Sequence, residues 1–326
     1  MVNTLLENPL QLAVLNPGGR DEEQYFPEGC GSPWDPGHPP VNFHAFAACT
    51  AGSFHRKVMT IPDSVPVLLL LRKDLKPSLL ALRDLKARGH RVAISWKEAG
   101  LSQIAGQLDD PISLRIFHEL HAQADAVLAP TEELKAIHEA VGGRNVQFIP
   151  NPYPVEDSRF NFAAPASTRG GIFLGTREFD TPSRNHAAAL MIALSLGHRV
   201  TVMNTSGRQG RLRLAAFNNP LMDIHEGSLP YPDYLKLMAQ HALVFQLDRS
   251  AVPGQVAGDA LLCGIPCVGG DGAVDRLAHP ETCGFGRTTG ELAGIAGKIL
   301  EGWTPSLFPD TVSFSNVEKK LRALFV

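Results

Sequence analysis

The sequence predicts an α/β protein of two doubly wound domains, each with a parallel sheet covered by helices on both faces. Strand-like and helix-like segments alternate between about residues 65 and 150, and a second alternating series begins near residue 170. This alternation is typical of parallel sheets, because the connection between two neighbouring parallel strands carries a helix. The length of 326 residues is sufficient for two domains of ordinary size.

The composition is that of a soluble globular protein slightly poor in charge, with 44% hydrophobic and 19% charged residues. The formal net charge is −3, and basic residues are scattered with no long Lys/Arg run. A nucleic-acid partner is therefore not expected, because such proteins concentrate positive charge where the phosphate backbone lies.

The N-terminus and the cysteines indicate a cytoplasmic protein. Glu7 and the lack of a basic flank do not fit a secretory signal, and the longest apolar run, Val65–Leu71, is too short to span a bilayer. Five cysteines, an odd number, favour reduced thiols over a disulfide framework. Cys263 and Cys267 bracket a Gly-Ile-Pro turn without a second Cys or His pair at zinc spacing, so we expect them to pack in the core.

The first domain begins with a short apolar strand and two irregular segments. The strand at residues 11–15 ends in a turn containing Gly18 and Gly19, which would let a ligand approach the backbone closely. Residues 20–57 are rich in Gly, Pro and His and have no clear period. They predict a long loop, and both an acceptor pocket and an ordered surface loop fit its composition.

Regular elements follow in both halves. In the first half we predict strands at residues 65–71, 90–96, 124–129 and 145–149, and helices at 77–88, 111–124 and 131–141. In the second half we predict strands at 170–175, 198–203, 243–247 and 267–270, and helices at 185–196, 232–241, 255–263 and 314–326. A Pro- and Ala-rich linker at 155–169 places the boundary between domains 1–155 and 156–326.

One strand, loop and helix in the second half have the features of an anion site. A buried strand at 243–247 leads into the loop Ser250–Gly254, and the helix that follows stops at Gly264. Free N–H groups of such a loop and the helix dipole converge on one point, which suits a phosphate. Any α/β domain has such loops, so this pattern alone favours an ordinary loop.

The same stretch resembles the donor-site signature of retaining glycosyltransferases of family 4, also called glycosyl transferases group 1. Gly254, Gln255 and Val256 fall on the family's glycine loop, and residues 259–266 fall on its "EAxxCGxP" part. The chain departs from the pattern at Asp259, where the family has its second glutamate, and at Ala251, where it has its first. The resemblance implies a GT-B fold: two Rossmann-like domains facing across a cleft, with the last helix, about 314–326, crossing back onto the first domain.

The resemblance also implies which residues bind the donor. Gly18 and Gly19 would lie beside its diphosphate, and Arg177 and Arg184 would hold that diphosphate from the loop after the second domain's first strand. Negative charge builds on the diphosphate as the sugar leaves, and fixed guanidinium groups can neutralise it without a metal. Spacing alone favours two solvated arginines on this loop, and the surrounding resemblance is what favours the diphosphate role.

Three further assignments rest on the same comparison. Asp259 would accept hydrogen bonds from the ribose, and as an acid near a helix N-terminus it would be stabilised without a ligand too. Asp248 is a candidate substitute for the acid missing at Ala251. Lys97 and Glu98 stand where related enzymes often have a histidine and an acid, and an ion pair at the surface is the simpler interpretation.

The resemblance implies a cytoplasmic enzyme that moves a sugar from a nucleotide-diphosphate sugar to an acceptor hydroxyl, with retention and without cofactor or metal. The acceptor would be a saccharide, a lipid-linked intermediate or a small molecule, and peripheral membrane attachment stays open. Two alternatives remain: a GT-B sugar-nucleotide epimerase, and a degenerate GT-B subunit that binds without turnover, for which Ala251 is the best evidence.

Overall fold

The computed structural model describes residues 9–19, 41–175, 179 and 181–325. The chain divides into two compact units, the first comprising residues up to 154 together with those from 313 onward, and the second comprising residues 155–312. Each unit contains one fully parallel sheet. The division falls within two residues of the predicted boundary at 155, and the chain's end belongs to the first unit.

The first unit contains a six-stranded sheet in the order β2-β1-β3-β4-β5-β6. Its strands are β1 (Ala13–Leu15), β2 (Ser53–His55), β3 (Val67–Leu71), β4 (Val92–Trp96), β5 (Ala126–Ala129) and β6 (Val146–Phe148). Its helices are α1 (His44–Cys49), α2 (Lys76–Ala87), α3 (Leu101–Gln107), α4 (Pro111–Gln123) and α5 (Glu132–Ala140).

The second unit contains a five-stranded sheet in the order β11-β10-β7-β8-β9. Its strands are β7 (Ile172–Leu174), β8 (Val200–Asn204), β9 (Met222–Glu226), β10 (Leu243–Phe245) and β11 (Cys267–Val268). Its helices are α6 (His186–Ser195), α7 (Gly207–Ala215), α8 (Tyr231–Met238), α9 (Gln255–Leu262), α10 (Ala273–Ala278) and α11 (Thr289–Leu300).

The last helix, α12 (Phe314–Phe325), packs on the first unit's sheet. Its buried Val317, Leu321 and Leu324 recur every three or four residues, and they join the apolar cluster that contains Val14 and Leu68. The alternate side chains of β3 point to the opposite face, where they pack with α2, α4 and α5. Both faces of this sheet are thus covered, which explains why β3 is apolar throughout.

The long predicted elements are present, with ends that differ by a few residues. Prediction of one loop over residues 20–57 is wrong for 41–57, which contain α1 and β2. These elements are six and three residues long, too short to show a period. The sequence also gave no sign of α3, α7, α10, α11 or β9.

Candidate functional site

The centre of the second sheet is a topological switch point. From β7 the chain proceeds to β8 and β9 on one side, and then returns to β10 and β11 on the other. Leu174 at the end of β7 pairs with Phe245 at the end of β10, and the N–H of Gly175 donates to the carbonyl of Phe245 over 2.9 Å. Because ligands of open parallel sheets bind where the strand order reverses, the loops after these strands form the candidate site.

The loop after β10 prepares the N-terminus of α9 for a ligand. Gly254 is the N-cap residue with φ of +92°, a conformation that favours glycine. A Cβ at Gly254 would lie 3.0 Å from a carboxylate oxygen of Asp275, so the position also has no room for a side chain. As glycine, the N-cap has no side-chain acceptor for the first N–H groups of α9, and the positive end of the dipole is left for an anion. Gln255 and Val256, the first two residues of this helix, are half-buried there.

Arg184 lies at the same switch point, at the end of the short 3-10 turn before α6. Its Nη1 donates to Oδ2 of Asp248, which is 2% exposed, and Ser250 donates its N–H and its hydroxyl to Oδ1 of that carboxylate. The backbone N–H of Arg249 donates to Ser183 over 3.0 Å, which ties the two loops together. The structure therefore brings Arg184 to the loop that precedes α9, with its guanidinium held by a buried acid.

The other predicted arginine, Arg177, lies outside the described residues. Asp248 is fully engaged with Arg184 and Ser250. It is therefore a positioning group in this structure, and both of its oxygens already accept hydrogen bonds.

Asp259 lies on α9, the helix that the sequence predicts for it, but not in the first turn of that helix. It is the fifth residue of α9, so it lies in the second turn, and only 2% of it is exposed. Tyr231 at the start of α8 donates its hydroxyl to Oδ1 of Asp259 over 2.5 Å. The carboxylate thus links the start of α8 to the second turn of α9. The field of the helix dipole is weaker there than at the first turn.

Two acids that the sequence analysis did not single out lie beside the loop. Asp271 follows β11, is half-buried, and accepts the N–H of Ala251 over 3.0 Å; burial raises its pKa. Asp275 in α10 is 1% exposed and accepts from the side-chain amide of Gln246 over 3.0 Å. Burial raises the pKa of Asp275 to about 7, and repulsion from Asp248 and Asp271 adds to the shift. Only the fold brings these acids to the loop, because 20 residues separate Asp271 from Ala251.

In the first unit, Gly18 and Gly19 form the turn after β1. Gly18 has φ of +67°, a conformation that favours glycine, and a Cβ at Gly19 would come within 2.4 Å of the Asn16 side chain. Arg72, which follows β3, donates to Oδ1 of the buried Asn16 over 3.4 Å. β1 is also the strand at which this sheet's order reverses, so the glycine pair lies at its switch point.

The remaining candidate groups have ordinary structural roles. Lys97 and Glu98 form an ion pair of 3.4 Å, which confirms that interpretation. Cys263 and Cys267 are free, buried thiols, and burial raises the pKa of both. Across the described ranges, no group of three His, Cys, Asp or Glu side chains is arranged to hold a metal ion. Among those same residues no helix is both long and apolar enough to cross a bilayer.

Comparison with solved structures shows the fold of the whole chain. HepE of Anabaena in complex with UDP-glucose is 13% identical, with 96% of this chain and 95% of HepE covered at a TM-score of 0.55. Sucrose-phosphate synthase of Thermosynechococcus elongatus is 15% identical, with 96% and 94% covered at a TM-score of 0.53. Trehalose-6-phosphate synthase OtsA is 10% identical, with 82% and 73% covered at a TM-score of 0.54.

These proteins have the GT-B fold, and this chain has it too. No family model matches the sequence. No curated protein sequence matches it either. At 10–15% identity a structural likeness establishes the fold, and the reaction has to be inferred from the residues of the site.

Proposed function

We propose that this chain is a glycosyltransferase that moves a sugar from a nucleotide-diphosphate sugar to an acceptor hydroxyl. The observation that carries the proposal is the presence of Arg184, held by Asp248, and of the glycine-capped N-terminus of α9 at one switch point. A helix N-terminus and a guanidinium both favour an anion of high charge density, and a diphosphate has that charge. The likeness to HepE, which was crystallised with UDP-glucose, with UDP, and with UDP and glucose, supports a nucleotide sugar as the donor.

Arg184 would act on the charge that the leaving diphosphate gains. Asp248 holds its guanidinium by a buried hydrogen bond, so the donor groups of Arg184 need not reorganise as the reaction proceeds. Arg177 would contribute a second guanidinium, and Gln255 and Val256 would contribute backbone N–H groups of α9. Asp259 is only 2% exposed and its Oδ1 accepts from Tyr231, so a role in orienting α8 and α9 fits its burial better than direct contact with the ribose.

We infer retention of configuration and independence of metal ions as further parts of the proposal. Arginines and a helix N-terminus supply positive charge to the diphosphate without a metal. The sugar's attacking partner would approach from the face that the diphosphate leaves, with the leaving phosphate oxygen taking the hydroxyl proton. Proton NMR of the first-formed product reads its anomeric configuration directly, and inversion would overturn this part alone. Activity is expected to persist in EDTA, and loss restored by a divalent cation would contradict metal independence.

We assign the acceptor to the first unit, where Gly18 and Gly19 form the turn at the switch point of its sheet. A saccharide, a lipid-linked intermediate and a small molecule are the acceptor classes to be screened. Reaction in the cytoplasm is part of the same proposal, and recovery from cell fractions, with and without a salt wash of membranes, tests peripheral attachment.

The test of the proposed function is nucleotide binding. UDP, GDP and ADP are each titrated into the protein, with melting temperature and calorimetric heat as the two measurements. A nucleotide that binds the folded state raises the melting temperature by mass action. We expect one of the three to bind, and its sugar conjugate to be hydrolysed or transferred with release of the nucleotide. Absence of binding by all three would overturn the proposal.

A further inference from the structure

Three aspartates follow the ends of β10 and β11, and they differ in what their oxygens do. Both oxygens of Asp248 are engaged, one by Arg184 and the other by Ser250. Asp275 lies beneath the loop, 1% exposed, where Gln246 donates to its Oδ1. Neither of these acids can present an open oxygen to a ligand.

Asp271 is the exception. Its Oδ1 accepts the N–H of Ala251 over 3.0 Å, and among the described residues nothing donates to its Oδ2. The residue is half-buried, so the side chain reaches solvent. Its neighbours in the chain, Gly270 and Gly272, present no side chains; a Cβ at these positions would come within 2.2 and 2.8 Å of Asp275. One oxygen of Asp271 is thus anchored while the other is open.

The backbone around Asp271 is fixed from both sides. The N–H of Asp271 donates to the carbonyl of Asp248 over 3.2 Å, and the carbonyl of Asp271 accepts from Nε of Arg276 over 2.8 Å. A recognition group positioned by rigid hydrogen bonds loses little conformational entropy when a ligand binds. Asp271 has that support.

The position of Asp271 relative to α9 matches the layout of a nucleotide sugar. The N–H groups of Ala273 and Val274 donate to the carbonyls of Val252 and Pro253 over 2.9 and 3.1 Å, so the two loops lie side by side up to the N-cap of α9. In a nucleotide-diphosphate sugar, the pyranose is bonded directly to the second phosphate. A diphosphate held at the N-terminus of α9 therefore places the sugar next to these joined loops.

A sugar hydroxyl is a suitable partner for this oxygen. Arg249 and Arg276 provide positive charge nearby, whereas Asp248 repels a second negative charge. A neutral hydroxyl donates to a carboxylate without adding charge, and hydrogen bonds to ionised acceptors are the stronger kind. The loop's own side chain at residue 251 is a methyl group, which offers no competing acceptor.

We propose that Asp271 accepts hydrogen bonds from hydroxyl groups of the donor sugar through Oδ2 and thereby selects the sugar. This inference rests on the proposed function, because it needs a nucleotide sugar at α9. It assigns to Asp271 the discrimination between sugars, and it leaves binding of the nucleoside diphosphate to α9 and Arg184.

The experiment compares sugar-dependent and nucleotide-dependent binding in two variants. Asp271→Asn keeps an oxygen for the Ala251 N–H but removes the charge, and Asp271→Ala removes both. Asp233→Asn is the matched control, since Asp233 is an exposed aspartate of α8 paired with Lys236. Calorimetry gives Kd for UDP and for UDP-glucose, or for the GDP or ADP pair if the wild type prefers that base.

We expect both Asp271 variants to bind the bare diphosphate as the wild type does and to bind the nucleotide sugar about 10- to 100-fold more weakly. A cycle with 2-, 3-, 4- and 6-deoxy donors then locates the hydroxyl, because the analogue lacking it should weaken wild-type binding without further loss in Asp271→Ala. Melting temperatures measured in parallel show that the variants are folded.

Two results separate the inference from the proposed function. If the wild type and both variants bind the diphosphate and its sugar conjugate with unchanged ratios, Asp271 does not contact the sugar and the inference is wrong, although the proposed function stands. If the folded wild type binds no nucleoside diphosphate, the proposed function fails, and this inference fails with it.

Discussion

A buried pair of histidines in the first unit and a group of aspartates in the second unit lie in different parts of their folds. In the first unit, His121 of α4 and His138 of α5 are in contact, with Nε2 of His121 2.7 Å from Nδ1 of His138. In the second unit, Asp248 and Asp271 lie in the loops after β10 and β11, and Asp275 lies in the following helix, α10. The histidines lie between helices and pack on Phe117, whereas the aspartates lie at the switch point.

The histidine pair has a single consistent arrangement of protons. The carbonyl of Phe117 can only accept, so Nδ1–H of His121 donates to it over 2.7 Å and Nε2 of His121 is an acceptor. Nδ1–H of His138 must then donate to that acceptor. Both rings are neutral, and burial lowers both pKa values, that of His138 to about 3. A neutral pair stabilises the core at neutral pH and becomes unfavourable only in acid.

Asp275, in contrast to the histidine pair, lowers the stability of the fold at neutral pH. Burial raises the pKa of Asp275 to about 7, so ionising it at neutral pH costs stability. A fold gains nothing in stability from such a group, and buried acids with perturbed pKa values often mark functional sites. The difference indicates that the second unit gives up stability at the switch point, where an anionic ligand and its sugar would be bound.

The largest expected effect is on stability at alkaline pH. Between pH 4 and pH 7 the folded state binds more protons at Asp275 than the unfolded state, so this residue's contribution falls as pH rises, by up to about 4 kcal/mol. Asp275→Asn should be more stable than the wild type at pH 8 and no more stable at pH 4. Urea unfolding at pH 4, 6 and 8 measures this.

In the Asp275→Asn variant, His279 should then dominate the pH dependence of the second unit. Its buried ring has a pKa lowered to about 4, which makes stability rise with pH in the same window. Asp233→Asn serves as the control, because its carboxylate is exposed. Equal gains at pH 4 and pH 8 would show that Asp275 is not protonated in the folded state.

The next effect concerns Arg184. Arg184→Ala should raise the activation barrier by about 3 kcal/mol, since it removes a charge that acts on the leaving diphosphate. It should also destabilise the fold by a similar amount, about 3 kcal/mol, because Asp248 is left buried without its partner.

The double variant Arg184→Ala/Asp248→Asn separates the two effects. It removes the uncompensated charge, so stability should recover while kcat stays low. Recovery of kcat together with stability would mean that Arg184 acts through the fold alone.

A smaller effect is expected in acid, from the first unit. Below pH 6.5 the unfolded state gains a proton at His138 that the folded state excludes, so stability is lost as pH falls; at pH 5 the loss is about 2 kcal/mol. His138→Asn keeps a donor near the Nδ1 position and should flatten this slope. Hydrogen exchange followed separately in α5 and in α9 measures it, and an unchanged slope in α5 would exclude His138 as its cause.

The smallest effect compares two alanines with left-handed backbones, one in each unit. Ala51 has φ of +49° and Ala251 has φ of +46°. Glycine at either position should stabilise the protein by roughly 1 kcal/mol, because the left-handed region is unfavourable for residues with a Cβ. We expect only Ala251→Gly to lower nucleotide-sugar turnover, because glycine gives more backbone freedom to the loop whose N–H holds Asp271. Equal turnover in both variants would place the Ala251 loop outside the site.

The sequence by itself determined the two α/β halves and the local devices of the second. Alternating apolar segments predicted the parallel strands, since parallel sheets bury both faces, and the left-handed glycines Gly254 and Gly264 marked the two ends of α9. Arg184 was also singled out as a candidate, because its loop after the second domain's first strand resembles that of the family-4 glycosyltransferases. All of these features depend on residues that are close in the chain.

Only the tertiary structure decided which partner each of the acids binds. Asp248 reaches Arg184 across 64 residues, Tyr231 reaches Asp259 across 28, and Ala251 reaches Asp271 across 20. Sequence spacing carries no information about such pairs, because it is the parallel order of β7, β10 and β11 that brings their loops to one edge. Asp271, which accepts the N–H of Ala251, therefore lies in the loop after β11, where no motif in the chain could have indicated the contact.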